Sequence, residues 1–371
     1  MKIAQIAPLV ESVPPHGYGG TERIVSYLTE RLVELGHDVT LFASAESRTS
    51  ARLVPCSSRA LREDEGVSDH IPHTLIMLEH VRQLAAEFDL LHFHVDLMHF
   101  PLFRHISRRT LTTLHGRLDL PDLQPFFREF FDLPLVSISM AQRAPMPPVA
   151  WAGNVPHGIP ADLLAYESNP AGDYLAFLGR ISPEKRVDRA IEIARKSGMR
   201  LKVAAKIDRV DREYHERLGD LLEDPLVSFL GEVNDEGKGA FLGHARALLF
   251  PIDWPEPFGL VLIEAMACGT PVIAYPCGSV PEIVEHGITG FIVNDIDAGA
   301  QAVEAALDLD RARIRERFEQ RYTVERMAGD YLAIYRELLE DSSDGRLGRP
   351  PRRRKRASRR RAELSAGAVR S

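Results

Sequence analysis

The sequence predicts an α/β protein of two Rossmann-like domains whose parallel sheets face a central cleft. Three observations carry this. Short apolar runs alternate with longer amphipathic stretches through the first 340 residues, and strands alternating with helices in this way form βαβ units. The alternation is interrupted at APMPPVAWAGNVPHGIP, residues 144–160, whose density of turn residues marks a connection between two units. The length of 371 residues suits two domains at about 150 residues each.

In the first unit KIAQIAPL, HDVTLFA, LLHFHV, TLTTLH and LPLVSIS read as buried strands. ERIVSYLTERLVELG and TLIMLEHVRQLAAEF carry apolar residues at helical spacing, and Gly36 stops the first of these helices. After the connection come the strands YLAFLG, RLKVAAK, VSFLG, ARALLF, TPVIAY and GFIV. Between them lie the helices DRAIEIARKSG, EYHERLGDLLE and GLVLIEAMACG, and VERMAGDYLAIYRELLE closes the series. The expected division is an amino-terminal domain over 1–155, a second domain over 156–325, a helix over 326–341 packing back towards the first domain, and a basic disordered tail over 342–371.

Composition excludes several classes. The hydrophobic fraction of 44% is too high for global disorder. No apolar run reaches the roughly 18 residues that span a bilayer. MKIAQIAPLVE reads as an opening strand and not as a signal peptide. Three cysteines without C-x-x-C spacing argue against a disulfide framework or a zinc site and fit a reducing cytoplasm. The net charge of −7 hides a division: residues 341–371 hold eleven Lys+Arg and three Asp+Glu, a balance of +8, leaving −15 for the body. The tail reads first as a solvated disordered extension, with an anionic membrane surface met through residues 346–361 at the inner face of the membrane as the leading functional alternative. Nothing in the acidic body supports nucleic acid.

The most informative stretch is PIDWPEPFGLVLIEAMACGTPVIAY, residues 251–275. Pro255 and Pro257 bar a helix before Phe258, Gly259 allows close backbone approach, and Leu260–Ala267 is helix-compatible. A loop turning into a helix at a strand end presents free N–H groups, suited to phosphate or a polarised sugar hydroxyl. Glu256 falls on the loop and Glu264 about one turn into an apolar helix, where an unpaired carboxylate is costly. Two such carboxylates suit sugar hydroxyls and a vicinal diol, through charge-assisted hydrogen bonds of about 1.5–3 kcal/mol each.

This stretch resembles the E-x7-E region of the retaining GT-B glycosyltransferases of family 4, and GSVPEIVEHGITGF at 278–291 is similar to the segment closing that family's donor site. The resemblance implies that Glu256 and the backbone at Phe258, Gly259 and Leu260 engage the transferred sugar, and that Glu264 binds the ribose hydroxyls of a nucleotide sugar. YLAFLGRISPEKR matches the family's G-R-x4-K pattern. There the strand is expected to end at Leu178 and Gly179 to make the turn, with Arg180 and Lys185 stabilising the departing diphosphate. The family commonly has glycine where this chain has Arg186.

In the amino-terminal half Gly17, Gly19 and Gly20 do not complete G-x-G-x-x-G, because position 22 is glutamate. In the glycosyltransferase reading Gly19 and Gly20 line the cleft at the donor. His115, just past a strand, matches a family histidine that contacts the transferred sugar. His92 and His94 share one face of their strand and are expected to line the cleft. With His99 they invite a metal reading, whereas the resemblance implies no metal and no cofactor beyond the nucleotide sugar. VSISMAQR, ending at Arg143, and VPHGIP also look family-like, the latter departing at His157 and Pro160 from the usual I-P-N-G-I-D.

The expected function is retaining transfer of a hexose from a nucleotide sugar, UDP-hexose first and GDP-mannose second, to an acceptor hydroxyl on a sugar, a lipid-linked group or a small molecule. The alternatives are a glycoside hydrolase or phosphorylase using Glu256 and Glu264, or a GT-B sugar-nucleotide epimerase.

Overall fold

All the strands pair in parallel, in two sheets, as expected where helical crossovers cover both faces. The computed structural model describes residues 1–343 except Tyr18, Arg209 and Val210, with 341–343 described in backbone only. The basic segment 346–361 and its expected membrane contact lie outside the described residues. Among the described residues no helix is long and apolar enough to cross a membrane.

The first sheet contains β1 (Lys2–Ile6), β2 (Asp38–Ser44), β3 (Arg52–Ser57), β4 (Leu90–Phe93), β5 (Thr110–Thr113), β6 (Leu135–Ser137) and β7 (Trp151–Asn154), in the order β3-β2-β1-β4-β5-β6-β7. The second contains β8 (Tyr174–Arg180), β9 (Arg200–Lys206), β10 (Val227–Gly231), β11 (Ala247–Phe250), β12 (Val272–Ala274) and β13 (Gly290–Ile292), in the order β10-β9-β8-β11-β12-β13. Each sheet starts at its centre, runs outward, then crosses back. The strand order therefore reverses between β1 and β4 and again between β8 and β11. The carboxyl ends at such a reversal splay the following loops apart and leave a crevice for a ligand.

The helices of the first unit are α1 (Gly20–Glu34), α2 (Ile71–Leu84), α3 (Phe100–Phe103), α4 (Leu123–Glu129) and α5 (Met140–Arg143). Those of the second are α6 (Val187–Ser197), α7 (Arg212–Leu222), α8 (Asp235–Gly243), α9 (Leu260–Ala267), α10 (Val280–Ile283), α11 (Ile296–Leu307) and α12 (Arg311–Arg321), before the closing α13 (Val324–Ser343). Tyr331 and Tyr335 of α13 are fully buried, with hydroxyls 2.9 Å from Thr113 Oγ1 and 2.7 Å from His92 Nδ1. The last helix thus packs on the first sheet.

Several elements escape the sequence reading. β3 carries Pro55, which an edge strand tolerates because one side needs no ladder hydrogen bond. β7 lies inside the proline- and glycine-rich segment read as a connection and forms the other edge. α12 buries only Ile314 and Phe318 in an otherwise charged stretch, so its apolar period is faint. The Asp310 side chain starts it by accepting from the N–H groups of Ala312 and Arg313. One expectation is overturned: β8 does not end at Leu178, because Gly179 and Arg180 still pair with Ala205 and Lys206 of β9. The turn follows after Arg180, and its left-handed residue is Arg186, at φ 54°. The family's glycine suits that conformation.

Candidate active site

The loops after β8 and β11 flank the reversal in the second sheet, so residues 71 positions apart meet there. Lys185 Nζ donates to Glu256 Oε2 at 2.5 Å, and Trp254 Nε1 donates to the same oxygen at 3.0 Å. Glu256 is 8% exposed. Its loop is pinned by its carbonyl groups: Ser279 N–H donates to the Glu256 carbonyl (2.9 Å), Ser279 Oγ to that of Phe258 (2.7 Å), and Ser139 Oγ, from the first domain, to that of Pro257 (2.7 Å). Gly278 packs flat on this loop, where a Cβ would sit 2.3 Å from the Glu256 carbonyl oxygen. Gly259, at φ 85°, then turns the chain into α9.

Glu264 is buried in α9, and its carboxylate accepts from Lys238 Nζ of α8 at 2.9 Å. The Arg180 guanidinium reaches the cleft among three carboxylates, Glu184 at 2.5 Å with Asp208 and Asp211 at 3.5 Å. Each cation is therefore held by acids at rest. Lysine's three N–H groups leave Lys185 donors for a further anion.

From the first domain, Gly19 and Gly20 face these residues. A Cβ on Gly20 would touch the Leu260 side chain at 3.4 Å, and one on Gly19 would clash with Pro15 at 2.7 Å. The cleft enclosed has a volume of about 660 Å³ and is lined by Gly19, Gly20, Lys185, Glu256 and Glu264, a size ordinary for small-molecule sites.

Two family models match, "Glycosyltransferase Family 4" over residues 18–142 and "Glycosyl transferases group 1" over 165–322. The chain belongs to the GT-B glycosyltransferases. It is 26% identical over 375 residues to the phosphatidyl-myo-inositol mannosyltransferase of Mycobacterium leprae (strain TN), covering 92% of this chain and 98% of the relative. It is 37% identical over 134 residues to the N-acetyl-alpha-D-glucosaminyl L-malate synthase of Bacillus anthracis, a match spanning 34% of each chain. Among solved structures, Anabaena Alr3699/HepE in complex with UDP and glucose superposes with a TM-score of 0.68 at 18% identity, over 93% of this chain and 100% of that one.

In this glycosyltransferase the histidines sort differently from the sequence expectation. His92 and His94 do not line the cleft; they are 0% and 3% exposed. His94 Nε2 lies 2.7 Å from Gln5 Oε1 and its Nδ1 lies 2.9 Å from His115 Nε2. Burial holds His94 well below the usual histidine range, so it is neutral. A neutral His94 that donates to the Gln5 carbonyl oxygen must accept at Nδ1, so His115 carries its proton on Nε2. The Nδ1 of His115 is buried without a hydrogen-bond partner, although the residue lines the cleft. Burial pushes His115 down to about 3, so this state holds at neutral pH. His157 stacks on His115 with ring centroids 5.2 Å apart and meets the edge of Phe258 at 4.8 Å. His99 packs away from the site against Phe93. Arg143 stacks on Trp151 and holds Ser137 Oγ at 2.6 Å, a structural task.

Sequence reasoning missed Lys238, which sits between two glycines in a helix without apolar period, and Glu22, noticed only as the residue that spoils a glycine motif. Glu22 lies in the first turn of α1, 5% exposed on the cleft wall. Burial, with the Glu11 charge nearby, pushes its carboxyl from an ordinary 4.5 up to about 7. A carboxyl raised on folding favours the folded state fully below 4.5, and that contribution is lost as pH rises through 7. Glu22→Gln removes the penalty. In urea unfolding the variant should gain roughly 3 kcal/mol over wild type at pH 8, a gain that falls to about half by pH 5.5. A difference independent of pH would contradict the assignment.

Proposed function

We propose that this glycosyltransferase moves a hexose from a nucleotide sugar to an acceptor hydroxyl with retention at the anomeric carbon, the second domain holding the donor and the first the acceptor. The observation that carries the reading is the Lys185–Glu256 contact at the reversal of the second sheet, which brings a phosphate-type cation and a sugar-type carboxylate to one point. Glu256 positions the sugar through its hydroxyls, the backbone N–H groups opening α9 at Phe258, Gly259 and Leu260 support it, and His115 contacts it from the first domain. Glu264 takes the ribose diol. Arg180 and Lys185 stabilise the diphosphate as it departs.

In the step itself the acceptor oxygen bonds to the anomeric carbon on the face the diphosphate leaves. The carbon–oxygen bond to the phosphate breaks with its electron pair going to the phosphate oxygen. That oxygen takes the acceptor's proton, so no base from the protein and no covalent enzyme intermediate is needed. The cleft excludes water that would otherwise hydrolyse the donor. A glycoside hydrolase needs one of its two carboxyls to donate a proton. Glu256 and Glu264 instead each accept from a lysine, which favours transfer.

UDP-hexose is the first choice of donor, supported by the UDP and glucose bound to Alr3699/HepE. GDP-mannose is second, supported by the mannosyltransferase relative. A thermal-shift panel of UDP-, GDP- and ADP-sugars tests this. The true donor at a hundredfold excess over its Kd should stabilise by about 2.7 kcal/mol. Stabilisation by inorganic phosphate and by none of the three would support a phosphorylase instead.

A further inference from the structure

Four charged side chains form a line across the cleft, ending at Glu264. Arg23 of α1, in the first domain, donates to Asp235 Oδ2 at the start of α8 at 2.5 Å. Asp235 Oδ1 lies 3.4 Å from Lys238 Nζ, one turn further on. Lys238 donates to Glu264 Oε1 at 2.9 Å. The side chains of Arg23, Lys238 and Glu264 are 9%, 14% and 6% exposed and that of Asp235 is 47% exposed, so the line runs along the cleft wall with one carboxylate open to solvent. A second Arg23 nitrogen donates to the Gly17 carbonyl at 2.9 Å, which fixes the guanidinium to the glycine loop of the first domain.

The Lys238 ammonium therefore stands between two carboxylates. With Arg23 in place, Asp235 is partly satisfied from the far side, and Lys238 is free to orient Glu264. When the domains separate, Arg23 leaves with α1. Asp235 then keeps Lys238 as its cationic partner and draws the ammonium away from Glu264, since charge attraction rises as competing charge is removed. We propose that Arg23, Asp235 and Lys238 are positioning residues for Glu264, forming a latch that gives the ribose-binding carboxylate its working orientation only when the two domains are closed. The proposal rests on the reading of Glu264 as the ribose ligand.

The test reads discrimination between a ribose and a deoxyribose, which a merely structural role would not move. Binding of UDP and GDP and of their 2′-deoxy counterparts is measured by calorimetry for wild type, Arg23→Gln, Asp235→Asn and Lys238→Met. Wild type should prefer the ribonucleotide by about tenfold or more, the worth of one hydrogen bond to a charged group. The preference should fall below about threefold in Arg23→Gln and Lys238→Met, whereas Asp235→Asn removes the competing carboxylate and should keep the wild-type preference, alone and in Arg23→Gln/Asp235→Asn. Asp235 is 47% exposed, so its asparagine substitution keeps the fold, and the double variant serves as the decisive case. Wild-type preference retained in full by Arg23→Gln, or still lost in Arg23→Gln/Asp235→Asn, would overturn the latch while leaving the donor reading intact. Failure of wild type to bind either ribonucleotide would overturn the donor reading and the latch with it.

Discussion

Lys185→Ala should lower kcat by about 10³-fold, the usual cost of removing one electrostatic group aimed at charge that develops in the transition state. The same change should also cost stability, because Lys185 neutralises a Glu256 carboxylate that is 8% exposed. Stranding one partner of a buried pair costs roughly 3–5 kcal/mol. The Trp254 N–H, still 3.0 Å from the same oxygen, brings the expectation to the lower end of that range. A loss of turnover alone would then be ambiguous between an absent cation and an unstable loop. The double variant Lys185→Met/Glu256→Gln resolves it by removing both charges and keeping the volume. Its melting temperature should return close to that of wild type while its turnover stays lost. Turnover in Lys185→Ala within a few-fold of wild type, or recovered in the double variant, would exclude Lys185 from the chemistry.

Mild acid should unfold this protein. Burial holds His92, His94 and His157 well below the ordinary 6.5, and His99 and His115 at about 3. Below pH 6.5 the unfolded chain takes up protons at these five positions and the folded chain does not. Their contribution is thus fully present above 6.5 and is lost as pH falls towards their folded values. Each histidine costs about 1.4 kcal/mol per pH unit in that range. Glu22, raised to about 7, takes up a proton in the folded state and offsets about one of them. Several kcal/mol per pH unit remain, against the roughly 5–15 kcal/mol that stabilises a typical domain. Urea midpoints should fall steeply from pH 7 to 5.5, with loss of the fold near pH 5. A midpoint that is flat over this interval would mean that the His92–His94–His115 network accepts protons while folded.

The parts of the site that could be read in advance are those whose cause is local. Pro255, Pro257 and Gly259 punctuate the chain within five residues, and α9 starts at Leu260 because of them. Glu264 stands out because its immediate neighbours are apolar. Lys238 does not, since glycines flank it on both sides and its acidic partner is 26 residues away. The H-x-H pair shows how far periodicity reaches. Alternation places His92 and His94 on one face, but only the return of Tyr335 in α13, bonded to His92, makes that face interior.

By itself the sequence determined the α/β class, the alternation of strands and helices, the place where α9 begins, and the presence of glutamates and cations of the right kind. These follow from interactions within a turn or two of the chain: apolar periodicity, proline and glycine geometry, helix starts. The tertiary structure decided which charge meets which. Lys185 meets Glu256 because β8 and β11 are neighbours at the point where strand order reverses, and Arg23 meets Asp235 because two separate sheets close one cleft. Coulomb attraction falls off with distance in space and takes no account of separation along the chain, so contacts across 71 and 212 residues exist only once the fold has brought their ends together.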